Sequence, residues 1–201
     1  MKRVILPLLF VALSQLLALA ANAAVTIRIF EDGSDVAVTW SGSFNTSAAT
    51  GGPLSATNNF GGVRPGTGFF STTPGDSDRY TISDALPSLG SGADRTDWDS
   101  SSGDIVGLFT TPSLHLPRGY VSGSSLSGSA RVNGTTLSAM GLTPGTYTIS
   151  STNAGNTDSV VIIVEAPSAQ SAATPVPTLP FFAFALLAVA VAVLGRRKLS
   201  H

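Results

Sequence analysis

The chain has 201 residues with eleven basic and twelve acidic side chains, a formal net charge of −1, a mean hydropathy of +0.30 and no cysteine. The missing cysteine excludes a disulfide scaffold, a thiol nucleophile and a thiolate-bound metal, so the fold must rest on packing and sheet hydrogen bonds. Lys2, Arg3, Arg196, Arg197 and Lys198 flank two apolar runs at the ends, which leaves six arginines against all twelve acids between them, a charge of −6 that repels nucleic-acid phosphate and anionic lipid.

The N-terminal run from Val4 to Leu19 is broken only by Pro7, Ser14 and Gln15, and Lys2 and Arg3 precede it. Ala21-Asn22-Ala23 then offers the small residues that a signal peptidase accepts. Residues 1–23 therefore read as a signal peptide, cleaved after Ala23, that sends the chain through the Sec export machinery.

Residues 24–166 read as the exported domain, and its pattern is β. Val25, Ile27 and Ile29 alternate along one face, and so do Val36, Val38 and Trp40. Glu31-Asp32-Gly33-Ser34 lies between the two runs with turn chemistry, which predicts a hairpin. From Ala48 to Gly103 the chain is rich in glycine and short of apolar runs, so only short strands are expected there, near Phe69-Phe70 and Tyr80-Thr81-Ile82. Ile105–Phe109 and Leu114–Leu116 read as short strands. Asn133-Gly134 between Ser129–Val132 and Thr135–Ser138 predicts a second hairpin. Pro144-Gly145 suggests a type II turn, and Leu137–Leu142 has room for one helical turn. Tyr147–Ser151 and Ser159–Val164 read as a closing hairpin, with the continuous apolar run Val160–Val164 as a buried central strand.

Residues 167–178 hold Pro167, Pro175 and Pro177 among Ser, Ala, Gln and Thr, the composition of an extended spacer. Residues 179–201 form a tail. Leu179 to Gly195 carries no charge, and as a helix it spans about 25 Å, near the lower limit for a bilayer core. Pro180 is compatible with the first turn of such a helix. Arg196, Arg197 and Lys198 follow it and belong on the cytoplasmic side. A C-terminal transmembrane helix is therefore expected.

Val176-Pro177-Thr178-Leu179-Pro180, the apolar run and the terminal basic cluster together resemble the tripartite tail of the PEP-CTERM family, with Val-Pro-Thr-Leu-Pro in place of Pro-Glu-Pro. Thr26 to Phe44, Gly103-Asp-Ile-Val-Gly107, Leu116 to Gly128 and Met140 to Tyr147 are similar, in that order, to segments of PEP-CTERM ectodomains. The resemblance implies that an exosortase-like membrane enzyme reads the tail as an address. It attaches no activity to the ectodomain.

The residues that carry catalytic chemistry are few. His201 ends the basic tail, and His115, between Leu114 and Leu116, is expected to face solvent. No Gly-x-Ser-x-Gly occurs. Asp97, Asp99 and Asp104 gather around Trp98 with some calcium-loop character but without the regular Asp-x-Asp-x-Asp-Gly spacing. They read as solvated loop carboxylates, with a calcium site as the alternative. Trp40, Trp98, Phe69, Phe70 and Tyr120 are the aromatic candidates for touching sugar; Trp40 reads as core, and Trp98 as the exposed one.

The sequence thus leads to an all-β chain with a single β-sandwich-like domain, jelly-roll or Ig-like, with long loops and one C-terminal transmembrane helix. The expected function is that of a non-enzymatic cell-surface protein associated with exopolysaccharide, without cofactor and without nucleic acid as a partner. It would be exported, held at the inner membrane with its ectodomain in the periplasm, and open to release at the cell surface. A calcium- or carbohydrate-binding surface module and a secreted hydrolase are the alternatives.

Overall fold

Alternation of branched apolar residues with polar ones makes the first strands. Val25, Ile27 and Ile29 are fully buried, while Arg28 between them faces solvent. The computed structural model describes residues 24–167. β1 (Ala24–Asp32) and β2 (Asp35–Gly42) open the chain as the expected hairpin, paired from Thr26↔Ser41 to Asp32↔Asp35. β3 (Gly51–Asn58), β4 (Gly62–Arg64), β5 (Phe69–Ser71) and β6 (Gly75–Thr81) follow. β7 (Thr96–Asp97), β8 (Ser100–Gly103), β9 (Gly107–Phe109) and β10 (Ser113–Pro117) occupy the middle. β11 (Leu126–Val132), β12 (Gly145–Asn153) and β13 (Asn156–Val164) complete the described chain.

These strands form two sheets. Sheet 1 has the order β12-β13-β1-β2-β11-β8, and sheet 2 has the order β3-β6-β10-β9-β5-β4-β7. Inward residues of both sheets belong to one apolar cluster: Ile27, Trp40 and Ile162 from sheet 1 meet Phe70, Leu108 and Leu114 from sheet 2. Each such side chain, fully buried, contributes about 1.5–3 kcal/mol. Leu89, Leu137, Met140 and Leu142 from the connecting loops belong to the same cluster. β1 and β13 run parallel, Ile27 beside Ile162, so the two ends of the described chain are locked side by side.

The fold-class expectation needs correcting. The all-β, sandwich-like part stands. A jelly roll or an Ig fold needs fewer strands, all or nearly all antiparallel, whereas this sandwich has sheets of six and seven strands and a parallel pair at its centre. No α-helix occurs among the described residues, only two 3-10 turns, Thr46–Ala48 and Pro65–Thr67. None of the described residues forms a helix long and apolar enough to cross a membrane. The expected transmembrane helix, with Val176, Pro177, Thr178, Leu179 and Pro180 at its start and Arg196, Arg197 and Lys198 after it, lies outside the described residues, as do Ala21 and Ala23.

Three local expectations also fail for identifiable reasons. Asn133-Gly134 does not close a hairpin. A two-residue type I′ loop needs φ > 0 at both positions, and only Gly134 has it, at 61°. The Asn133 and Gly134 amides are instead held by Asp99 Oδ2 and Asp35 Oδ1 at 2.8 and 3.0 Å. The chain then coils through one turn, Thr136 O accepting from the Met140 amide, which buries Leu137 and Met140. Gly145 is not the left-handed centre of a type II turn, because it already pairs with Val164 as the first residue of β12. The third failure is the stretch from Ala48 to Gly103, which holds six strands where few were expected. Its glycines let backbones approach closely, and β3 carries Pro53 without loss because it is an edge strand.

Two positions test this account. The β12–β13 loop is Ala154-Gly155, both with positive φ (49° and 83°), the geometry of a type I′ turn. Alanine is strained there and asparagine is not, so Ala154→Asn raises unfolding stability by about 0.5–1 kcal/mol, read as a higher Tm. The Trp40 ring lies over Gly128, its cross-strand partner, where a Cβ would come within 2.1 Å of the ring. Gly128→Ala must displace the indole and lowers stability by about 1–3 kcal/mol, measured by urea unfolding.

Candidate functional site

Two of the three acids proposed for calcium act on the backbone. At one end of edge strand β8, the Asp99 amide donates to Arg131 O at 2.9 Å while Asp99 Oδ2 accepts from the Asn133 amide at 2.8 Å. At the other end, the Asp104 amide donates to Ser127 O at 2.9 Å while Asp104 Oδ2 accepts from the Ser127 amide at 2.8 Å. The two reciprocal clamps fix β8 to β11 in register. Asp97 is bonded to the Arg95 guanidinium at 2.9 Å. The three carboxylates thus serve three different partners, and no group of three or more His, Cys, Asp or Glu among the described residues could hold a metal ion.

Trp98 lies between Asp97 and Asp99 and points the other way. Its Nε1–H donates to Ser71 O at 2.7 Å, and its ring is 5.8 Å from that of Phe70. It is half-buried against the cluster and pins β7 to sheet 2 rather than presenting a flat face to sugar. Of the other aromatic candidates, Trp40 and Phe70 are in the core. The Tyr120 hydroxyl accepts from the Phe44 amide at 2.9 Å and donates to Ser124 O at 2.6 Å, so it anchors two loops. Phe69 points to the outward face of sheet 2 but is buried there, its ring packed between those of Phe60 and Phe109.

His115 is buried, with only 7% exposed, contrary to the expected solvent-facing position. It does point away from Leu114 and Leu116, as alternation requires. What covers it is Phe109, whose ring lies 4.1 Å from the imidazole and crosses over Gly107. Only glycine leaves that path open, since a Cβ at position 107 would come within 2.8 Å of the Phe109 ring. His115 Nδ1 is 3.1 Å from Ser77 Oγ. Ser77 is itself fully buried, so the pair has no access to a substrate. Burial, with a smaller contribution from the Arg79 guanidinium, lowers the imidazole pKa from 6.5 to about 4.

The outward faces of the two sheets differ in charge. On sheet 1 a trough of about 330 Å3 opens above Ala37, between Phe30 and Arg131, with Ser100, Ser102 and Ser129 on its wall. Its one cation is neutralised, since Arg131 is paired with both Asp32 and Asp35. The Gly134 amide, then the Arg131 guanidinium and the Ser34 hydroxyl, hold the Asp35 carboxyl below its ordinary pKa. Arg28, on the same face, is paired with Glu165 at 2.7 Å.

Sheet 2 carries an aromatic row. Phe60 and Phe69 are 5.3 Å apart, Phe69 and Phe109 are 5.1 Å apart, and Phe109 continues to His115. The Arg95 guanidinium lies 4.3 Å from the Phe60 ring centre. A depression of about 120 Å3 adjoins one end of the row, lined by Phe60, Phe69, Arg64 and Arg95; another of about 360 Å3 holds Arg79, Thr81, Thr111 and Pro112. Arg64 and Arg79 are exposed, and neither is ion-paired among the described residues. Phe60, Phe109, Arg64 and Arg79 were not singled out by the sequence. They are scattered over some fifty positions; strand register aligns Arg64, Arg79 and Phe109, and the turn before β4 brings Phe60 to Phe69.

The chain matches no protein-family model, no curated protein and no solved structure.

The buried imidazole yields a pH prediction. Its folded pKa lies below its unfolded value, so the native state favours the neutral ring. The corresponding stability is fully present above pH 6.5 and is lost as pH falls from 6.5 toward 4, by up to about 3 kcal/mol. His115→Asn keeps a hydrogen-bonding group for Ser77 and flattens the fall in Tm across that window. An unchanged slope in the variant would place the acid sensitivity elsewhere.

Proposed function

We infer that this chain is an exported, non-catalytic surface protein associated with exopolysaccharide, whose tail is an address for an exosortase-like membrane enzyme. The observation that carries the reading is the order of landmarks along the chain: the signal-like N-terminus with Ala21 and Ala23, the ectodomain segments similar to PEP-CTERM proteins, Val176-Pro177-Thr178-Leu179-Pro180, and the terminal Arg196-Arg197-Lys198. The use to which the ectodomain puts its side chains supports it. Asp99 and Asp104 cap amides, Asp158 accepts from the Asn45 amide at 2.6 Å, and the buried His115 is bonded to a buried serine. Groups spent in this way hold the fold, and the one imidazole beside a hydroxyl is sealed from any substrate with it.

The test is processing in a Gram-negative host that carries an exosortase. Mass spectrometry of the envelope fraction is expected to find the chain beginning at Ala24, with the tail removed near Val176–Pro180. Replacing Arg196, Arg197 and Lys198 by alanine, or Pro177 and Pro180 by alanine, is expected to leave the tail uncleaved while N-terminal cleavage continues. A wild-type chain that keeps Met1 and its whole tail under these conditions would sink the reading.

A further inference from the structure

We propose that the outward face of sheet 2 is a binding track for an acidic polysaccharide, whose uronate carboxylates are held by Arg64 and Arg79 and whose rings lie on the half-buried Phe60 and Phe109, propped by the buried Phe69 between them. The inference rests on the reading of the chain as a matrix-facing surface protein and names the class of partner it meets there.

Register builds the track. Arg64 pairs with Phe69 across β4 and β5, and His115 pairs with Arg79 across β10 and β6. Phe109 bridges them from β9, touching Phe69 on one side and His115 on the other. The row thus crosses five adjacent strands, about 19 Å at the usual spacing of about 4.8 Å. That length suits an extended chain and exceeds a single sugar. Phenyl faces accept the C–H faces of sugar rings, and a guanidinium grips a carboxylate with two parallel hydrogen bonds. Thr67, Thr110 and Thr111 add hydroxyls at the two depressions.

Charge selects the face. A segment with six arginines and twelve acids repels an anionic polymer over most of its surface. On sheet 1 the exposed cations are already neutralised by Glu165, Asp32 and Asp35. On sheet 2 Asp97 is held by Arg95, and among the described residues neither Arg64 nor Arg79 is ion-paired. The five strands are paired on both sides, so no edge is offered to an extended peptide. Two open cations are too few for the multiple phosphate contacts by which proteins hold nucleic acid.

The experiment is native electrophoresis of the purified full chain at about 0.15 M salt, where only short-range charge contacts survive screening. The gels contain polygalacturonate, its fully methyl-esterified form, or duplex DNA. Retardation by polygalacturonate alone is expected. Arg64→Ala/Arg79→Ala, both exposed and unpaired, is expected to weaken it about tenfold or more, whereas Arg28→Ala on sheet 1 leaves it unchanged. Phe60→Ser, at a half-buried ring outside the strands, weakens it as well. Equal retardation by the neutral ester or by DNA, no retardation by polygalacturonate, or an unaffected double variant would each overturn the track. The measurement needs neither export nor tail cleavage, so its failure leaves the sorting proposal standing, and a failure of sorting leaves the track standing.

Discussion

A cysteine-free sandwich depends on finding partners for the backbone amides it strands wherever the chain leaves a sheet. Each buried amide without a partner costs about 1–3 kcal/mol, and this chain meets the demand with side-chain oxygens. The passage from β2 to β3 shows the economy most clearly. Successive amides of Phe44, Asn45, Thr46 and Ser47 donate to the Tyr120 hydroxyl, Asp158, Ser122 and Asn45 Oδ1. Elsewhere Glu31 accepts from Leu137, Asp78 from Gly119 and Asp84 from Ser150. The same device protects an edge: the Ser150 and Thr152 amides of β12 are covered by Asp84 and Ser83, which closes that strand to pairing with another chain.

This use of carboxylates explains the composition. An acid-rich, lysine-free ectodomain looks at first like a surface coat or a cation site. Most of its acids are better described as bolts, each turned toward one or two amides on a distant element. Asp158 shows the cost: burial raises its pKa, while the Asn45 and Ser159 amides pull it back down. The carboxylate is retained in a buried position because it ties the β2–β3 passage to β13, across more than a hundred residues of chain.

How far the sequence could be read follows from the same physics. Strict alternation around a two-residue turn made β1 and β2 legible, since period 2 with branched residues has one interpretation. β13 was legible as a central strand because Val160–Val164 is apolar on both parities, and it is indeed paired on both sides. β3 and β8 were not legible, because edge strands of Gly, Ser and Thr bury almost nothing and carry no periodic signal. Asn133-Gly134 misled because its amides are claimed from outside the turn. His115 misled because alternation gives the direction of a side chain and says nothing of what covers it. The covering ring is six residues away, and the gap that admits it is a glycine eight residues away.

The two outward faces differ in what their arginines meet. Both are built from the same polar, small-residue strands, and both have arginines. On sheet 1 every exposed arginine has found a carboxylate, and the face is electrically complete. On sheet 2 the loops and strands that supply carboxylates direct them elsewhere: Asp76 and Asp78 lean on Arg118, and Asp97 on Arg95. A fold with twice as many acids as bases has no shortage of partners for Arg64 and Arg79. That both stay unpaired among the described residues, at opposite ends of one aromatic row, is a matter of placement rather than supply, and it is what distinguishes the face of sheet 2 from that of sheet 1.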